Sequence, residues 1–400
     1  MNLLLGLLYT PEEGERLLKT SKVGLQGAAN NYQWALIRGL HELTGEKVHV
    51  VNSTPMGTFP KHSTTLFVKA QVNETPEAVV DNQSYVNLPL IKQIQRTSAA
   101  YRRVKQLLVE REEPVTVMVY SLYNPYLKAL KKLKQKSQNF QYILIVPDLP
   151  GTFGIESTNP VVRKIQRIRG KKAIKLCQYA DGYVLLTEQM AKPLCIEGKP
   201  IVVVEGVSSG NLEAITSYQR GEKPTILYTG TVDAALGMDT LVKAFLKLPE
   251  GSARLCIAGA GPYAERLKAL SKEHSDIEYL GYLPKKEIDA LQRQVAILVN
   301  PRSADDVYTR YSFPSKTMEY LTTGVPVVMN RLPGIPEEYE NHLFFTDGSD
   351  VDSLARKLQE VLSMDETAVL EHGIRASRFV KDRKSSVPQA KKVIDLAQRL

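Results

Sequence analysis

Cysteine, histidine pairs and long apolar runs are scarce in this 400-residue chain, and each scarcity excludes something. The three cysteines, Cys177, Cys195 and Cys256, form no C-x-x-C pair and have no histidine at ligand spacing. They are expected as small core residues in a reducing compartment, not as a disulfide framework or a zinc site. No apolar run approaches the ~18–20 residues needed to cross a bilayer. Residues 1–9 are apolar but lack a basic region before them, which suits a buried strand better than a secretory signal. A cytoplasmic location is therefore expected. The six histidines make no H-E-x-x-H set, and the one D-x-D, Asp350-Val351-Asp352, falls where a helix cap explains it. No metal cofactor is expected. Apolar residues at 43% and charged residues at 24% exclude a disordered or fibrous chain.

Positive charge is in excess, and it is unevenly placed. The net charge is +9, but residues 1–200 hold 27 basic against 16 acidic side chains, while 201–400 hold 25 against 27. Such asymmetry implies that the first half faces a polyanion. Its densest stretch, 157–180, carries Arg163, Lys164, Arg167, Arg169, Lys171, Lys172 and Lys175 without one acid. Ile165, Ile168, Ile174 and Leu176 are interleaved at loosely helical intervals. A solvated helix face is the plain reading. Seven cations without an acid favour an anionic surface, which polar lipid headgroups or a lipid-linked pyrophosphate would fit. No helix-turn-helix, zinc or RNA-binding signature is present, so no nucleic-acid partner is expected.

Short apolar runs alternate with amphipathic stretches throughout. Strands are expected at 3–9, 48–51, 66–68, 115–120, 142–146, 183–186 and 201–204, with helices at 30–43, 89–109, 125–136 and 161–179. The second half repeats the scheme, with strands at 225–228, 254–258, 277–280, 297–300 and 325–329. Its helices are expected at 238–248, 262–274, 285–294 and 315–323. Continuous apolar strands between helices predict parallel sheets buried on both faces. The Gly-, Ser- and Pro-bearing stretch 205–224 reads as a linker. Two doubly wound α/β domains follow, whose strand carboxyl ends are expected to face a central cleft. Function should lie in the strand-to-helix turns.

The most informative segment is Phe313–Met329, FPSKTMEYLTTGVPVVM. Pro314 can open a helix, Gly324 closes it, and Lys316 and Glu319 share one face. A lysine at a positively polarised helix start is unfavourable unless an anion binds there. The segment resembles the donor-binding motif of retaining GT-B glycosyltransferases, family 4 (group 1), in the version of a bacterial surface-polysaccharide subgroup. Phe313, Glu319 and Gly324-Val325-Pro326-Val327-Val328 fit that motif. The strand ending Gly259-Ala260-Gly261-Pro262 and the turn Gly281-Tyr282-Leu283-Pro284 match two more family pieces in order.

The resemblance implies a GT-B fold: an acceptor-binding domain over 1–205, a nucleotide-sugar domain over 206–379, and a C-terminal helix at 380–400 packing back on the first. It implies that Glu319 holds the donor ribose, that Pro314, Ser315 and Lys316 lie beside the diphosphate-sugar, and that Tyr282 and Leu283 meet the base. Gly27, Gly230, Thr231, Gly259, Gly261, Tyr311 and Phe313 complete the implied donor set. Lys316, Glu319 and Asp148 are the candidate catalytic residues. Pro147 stands where relatives carry His, which leaves Asp148 as the candidate for acceptor contact or base work, although an Asp between two prolines also suits a plain turn. Three departures stand out: Thr231 and Leu236 replace the family's diphosphate-gripping Arg and Lys, and Tyr311 replaces its first Glu. Lys316, with Arg302 or Arg310, is expected to supply the missing charge.

The implied activity is sugar transfer, with retention and without a metal, from a nucleotide sugar, UDP-linked by family habit. The acceptor would be a glycan or a polyprenyl-diphosphate-linked oligosaccharide at the inner membrane face. The substitutions leave one alternative, a non-catalytic partner subunit of the same fold. A nicotinamide dehydrogenase lacks its G-x-G-x-x-G loop and distal acid.

Overall fold

The computed structural model describes residues 3–109, 115–136, 140–150, 159–208 and 213–400. Two compact units emerge, Met1–Ser209 with Ser385–Leu400, and Gly210–Lys384. These bounds fall about five residues beyond the expected 205 and 379.

The first unit contains β1 (Leu3–Gly6), β2 (Val48–Asn52), β3 (Phe67–Val68), β4 (Gln71–Glu74), β5 (Ala78–Asn82), β6 (Tyr85–Val86), β7 (Val115–Tyr120), β8 (Phe140–Val146), β9 (Gly182–Leu185) and β10 (Ile201–Val203). Eight of them form one sheet in the order β10-β9-β8-β7-β1-β2-β5-β4. The sheet is parallel except at its edge, where β4 pairs antiparallel with β5. β4 and β5 are absent from the expected elements. Gln-Val-Asn-Glu is too polar to stand out as a strand, and one exposed edge allows that polarity. The run at 66–68 lies outside this sheet, because β3 pairs only with β6 in a separate ribbon. The unpredicted helix Pro11–Thr20 is set by a capping box between Thr10 and Glu13. The C-terminal helix Ser386–Gln398 packs on the helix Gly27–Thr44. Gly39 makes that approach possible, since a Cβ there would stand 2.0 Å from the Ser386 carbonyl oxygen.

The second unit is a six-stranded parallel sheet of β11 (Thr225–Thr229), β12 (Arg254–Ala258), β13 (Ile277–Gly281), β14 (Ile297–Asn300), β15 (Val327–Asn330) and β16 (Phe344–Thr346). The order β13-β12-β11-β14-β15-β16 reverses direction between β11 and β14. That reversal is the switch point where open α/β sheets bind ligands beyond the strand carboxyl ends. Inward residues Ile226, Leu255, Ile257, Ile297 and Val299 form its core with the helices Met238–Phe245 and Val351–Ser363.

Two expectations need correction. The described part of 205–224 is not a free linker, because Tyr218 is buried and its hydroxyl donates to the Ala296 carbonyl at 2.8 Å. Residues 209–212 of it lie outside the described residues. Cys177 and Cys256 are core residues, with burial pushing their thiols up to about 12 and about 11. Cys195 is exposed, at a left-handed φ of 55° that caps a short helix.

Candidate functional site

The carboxyl ends of β11, β12 and β14 gather the second unit's candidate residues. β11 runs into Gly230, whose φ of 148° is open to glycine alone. A Cβ on Gly230 would meet Lys316 Cε at 2.6 Å and Nζ at 2.9 Å, so the Lys316 ammonium lies directly over this loop. Gly259, also at φ 148°, ends β12 against the same turn: a Cβ there would stand 1.6 Å from the Gly230 carbonyl oxygen. At Gly261 a Cβ would fall 2.2 Å from the Val232 oxygen. Both glycines are therefore accounted for by two loops packed backbone to backbone.

The helix Ser315–Thr322 presents its first turn to this junction. Tyr320, fully buried on that helix, holds it to β11: its hydroxyl accepts from Thr229 N at 2.9 Å and lies 3.1 Å from the Thr229 carbonyl oxygen. Lys316 is half-buried and forms no hydrogen bond or ion pair among the described residues. Burial, then the nearby charges of Lys285 and Arg302, lowers its pKa against the opposing pull of Glu319. Arg302 enters from the loop after β14, its backbone fixed where its carbonyl accepts from Asn330 Nδ2 at 2.6 Å. The Lys316 ammonium thus stands over a glycine loop beside a helix N-terminus, within electrostatic reach of Arg302. Such a place stabilises an anion.

Glu319 lies one turn on. Its Oε1 accepts from Lys285 Nζ at 2.6 Å, and Lys285 also pairs with Asp289. Sequence reasoning missed Lys285; its place directly after Tyr282-Leu283-Pro284 was the available clue. Tyr282 is 79% exposed and Leu283 half-buried on that turn. Thr231 and Ser315 are exposed, Tyr311 is half-buried and Pro314 is buried. Phe313 does not offer a ligand surface: it is 6% exposed and packs on Tyr339, ring centroids 5.3 Å apart. Its role is to seat the turn ahead of Pro314. Asp350 caps the helix Val351–Ser363 by accepting from Ser353 N, and Asp352 pairs with Lys247. Capping thus explains the D-x-D.

In the first unit, Gly27 opens the helix Gly27–Thr44, which has no side-chain cap. A Cβ at Gly27 would meet nothing within 4 Å, so neither packing nor φ demands glycine there. Asp148 follows β8; partial burial raises its carboxyl pKa, and its charge in turn adds to the raised pKa of the Tyr120 phenol. Gly151, the end of the VPDLPG turn, lies outside the described residues, as do 157–158 of the basic stretch.

A doubly wound second unit with a cationic loop junction at its switch point is the kind of place where open α/β sheets accept anionic ligands. Comparison with known proteins is more specific. Residues 223–364 match the family described as glycosyl transferases group 1. A curated relative is the GDP-mannose-dependent alpha-(1-6)-phosphatidylinositol monomannoside mannosyltransferase of Mycobacterium tuberculosis, 27% identical over 160 residues. O-antigen chain mannosyltransferase B of Escherichia coli is 26% identical over 161 residues. These matches span 38% of this chain and only 42% and 41% of the relatives. Among solved structures, sucrose-phosphate synthase from Thermosynechococcus elongatus is similar over 100% of this chain and 99% of its own, at TM-score 0.65 and 15% identity. Anabaena Alr3699/HepE in complex with UDP matches over 100% of both chains at TM-score 0.63 and 15% identity. At such identities the likeness speaks for the fold, which is GT-B. The similarity to group 1 glycosyl transferases is confined to residues 223–364 of the second unit.

Proposed function

We propose that this protein transfers a sugar, with retention, from a UDP-linked donor to a glycan or polyprenyl-diphosphate-linked acceptor in surface-polysaccharide synthesis. One observation carries the reading: the Lys316 ammonium, unpaired among the described residues, lies over Gly230 with Arg302 beside it and Glu319 one turn away. This is the arrangement a nucleoside diphosphate needs, cations for the phosphates and a carboxylate for the ribose hydroxyls. Cleavage of the bond between the sugar's anomeric carbon and the phosphate oxygen leaves its electron pair on the diphosphate. Lys316, Arg302 and the helix start stabilise that charge as it develops, so a metal is not needed for the task. The acceptor hydroxyl attacks from the face the phosphate leaves, and its proton passes to the departing phosphate oxygen. Asp148 is assigned to acceptor contact. The basic helix of the first unit is assigned to the anionic inner membrane face.

Glu319 must exchange its Lys285 partner for the ribose, which couples donor binding to the start of the helix Lys285–Gln292. GDP is the second reading for the donor, favoured by the name of the mycobacterial relative. A non-catalytic partner subunit is the alternative, favoured by Thr231, Leu236 and Tyr311 at positions where charged residues are usual. A thermal-shift panel of UDP, GDP, ADP and NAD tests all of these. A nucleotide at 100 times its Kd adds about 2.7 kcal/mol. A shift with UDP alone is expected; a shift with GDP alone reassigns the base; no shift with any nucleotide leaves the non-catalytic reading.

A further inference from the structure

The first unit holds a cluster of cations that the donor site does not use. Lys92 and Arg96 are one turn apart on the helix Pro89–Val109 and are only 6% and 5% exposed. Lys92 Nζ donates to the Met56 carbonyl and to Asn87 Oδ1, both at 3.2 Å. Arg96 donates to the Tyr123 hydroxyl at 2.8 Å and the Thr54 carbonyl at 2.7 Å, and lies 4.0 Å over the Tyr85 ring. Its Nε is buried without an acceptor. Tyr123 immediately precedes Asn124, whose Nδ2 donates to the Arg169 carbonyl at 3.1 Å. That bond brings the basic helix Pro160–Cys177 to the same end of the helix Asn124–Lys134. Lys128, half-buried one turn further along, faces Lys172 and Arg169.

No carboxylate pairs with any of these five cations among the described residues. The repulsion shows at Lys92 and Lys128. Burial, then Arg96 and Arg169, lowers Lys92 to about 8. Burial, then Lys172 and Arg169, lowers Lys128 as well. Five like charges from three helices, graded from exposed to buried, are costly to assemble. The cost disappears when an anion arrives.

We propose that Lys92, Arg96, Lys128, Arg169 and Lys172 form a seat for a phosphate or diphosphate group at this three-helix junction, separate from the donor site. The inference deepens the reading above, since it places the acceptor's diphosphate in the first unit. Inorganic pyrophosphate, titrated calorimetrically into the full chain, tests it. The wild type should show two classes of site, one lost in Lys316→Ala and the other weakened at least about tenfold in Lys128→Gln/Lys172→Gln. Without ligand the double variant should melt no lower than the wild type, because it removes repulsion; a lower melting temperature would assign these lysines to structure. Phosphatidylcholine vesicles doped with phosphatidylglycerol form the second arm. If they bind through Lys128 and Lys172 while pyrophosphate does not, the cluster is a headgroup surface and the inference falls. Pyrophosphate binding that survives in the double variant but vanishes in Lys316→Ala also overturns it, and leaves the donor reading intact. Failure of UDP to bind, with the pyrophosphate site present, would do the reverse.

Discussion

At the scale of single residues, the donor reading turns on Lys316. Its pKa is lowered because its surroundings desolvate it and Lys285 and Arg302 repel it, against the pull of Glu319. A bound diphosphate reverses that balance. Lys316→Ala should therefore lower turnover on the order of 10²–10³-fold, the usual cost of losing one preorganised donor to a developing oxyanion. Steady-state kinetics with the donor that stabilises the protein would check it, and a variant retaining more than half its activity would remove Lys316 from the mechanism. Gly230 and Gly259 set a different constraint. Both sit at a φ of 148°, and a Cβ on Gly259 would stand 1.6 Å from the Gly230 carbonyl oxygen, so the loop junction beneath Lys316 is fixed by backbone packing.

At the scale of elements, the helix Ser315–Thr322 is aimed by Tyr320 and backed by the packing of Phe313 on Tyr339. Tyr320→Phe would leave the buried Thr229 N–H without its acceptor at a cost of about 1–3 kcal/mol. Chemical denaturation should show that loss, and donor affinity should fall with it; an unchanged midpoint would mean that the hydroxyl is not the anchor. The helix Glu366–Arg383 carries a pH-dependent contact. Burial, then Arg375 and His342, holds His372 down to about 4 where its ring meets Phe344, centroids 4.2 Å apart. The folded state resists a proton that the unfolded chain accepts near pH 6.5. Stability is thus undiminished above pH 6.5 and falls as pH drops toward 4. After allowance for partial exposure, the loss from this residue is on the order of 1 kcal/mol. Melting curves at pH 7.5 and 5.5 should show a smaller difference for His372→Leu than for the wild type; equal differences would rule the residue out.

The elements that sequence made legible are those whose information is local. Val115–Tyr120, Arg254–Ala258, Ile297–Asn300 and the helix Pro89–Val109 carry their own periodicity and breakers. The segment from Phe313 to Val328 carries its resemblance to a donor-binding motif in a compact pattern. β4 did not show, because an edge strand is selected by its partner and not by its own residues. Lys285 stayed unassigned and Arg302 open for a related reason: Lys285 reaches Glu319 from a helix start 34 residues earlier, and Arg302 comes from a loop 14 residues before Lys316. The glycines 259 and 261 illustrate the converse. Their spacing was visible, but their physical reason, contact with the Gly230 and Val232 carbonyls, exists only in three dimensions.

At the scale of the whole molecule, the two units divide the charge as they divide the chain. The first holds 30 basic against 18 acidic side chains, and the second 22 against 25. On the helix Pro160–Cys177, Ala173, Leu176 and Cys177 face inward, while Val161, Val162, Ile165 and Ile168 are 41–64% exposed among the cations. Exposed apolar residues interleaved with lysine and arginine cost solubility unless a charged interface covers them. No helix among the described residues is long and apolar enough to cross a membrane. The attraction of the basic helix should be electrostatic at long range and hydrophobic at contact. The protein should sediment with phosphatidylglycerol-containing vesicles and not with phosphatidylcholine alone, and ~0.5 M salt should release it by screening. Ile165→Asn/Ile168→Asn should weaken binding at low salt without changing the UDP-induced thermal shift, because those side chains lie in the other unit. Binding that ignores both salt and this double substitution would place the membrane contact elsewhere, and no binding at all would leave the first unit's charge to its soluble ligands.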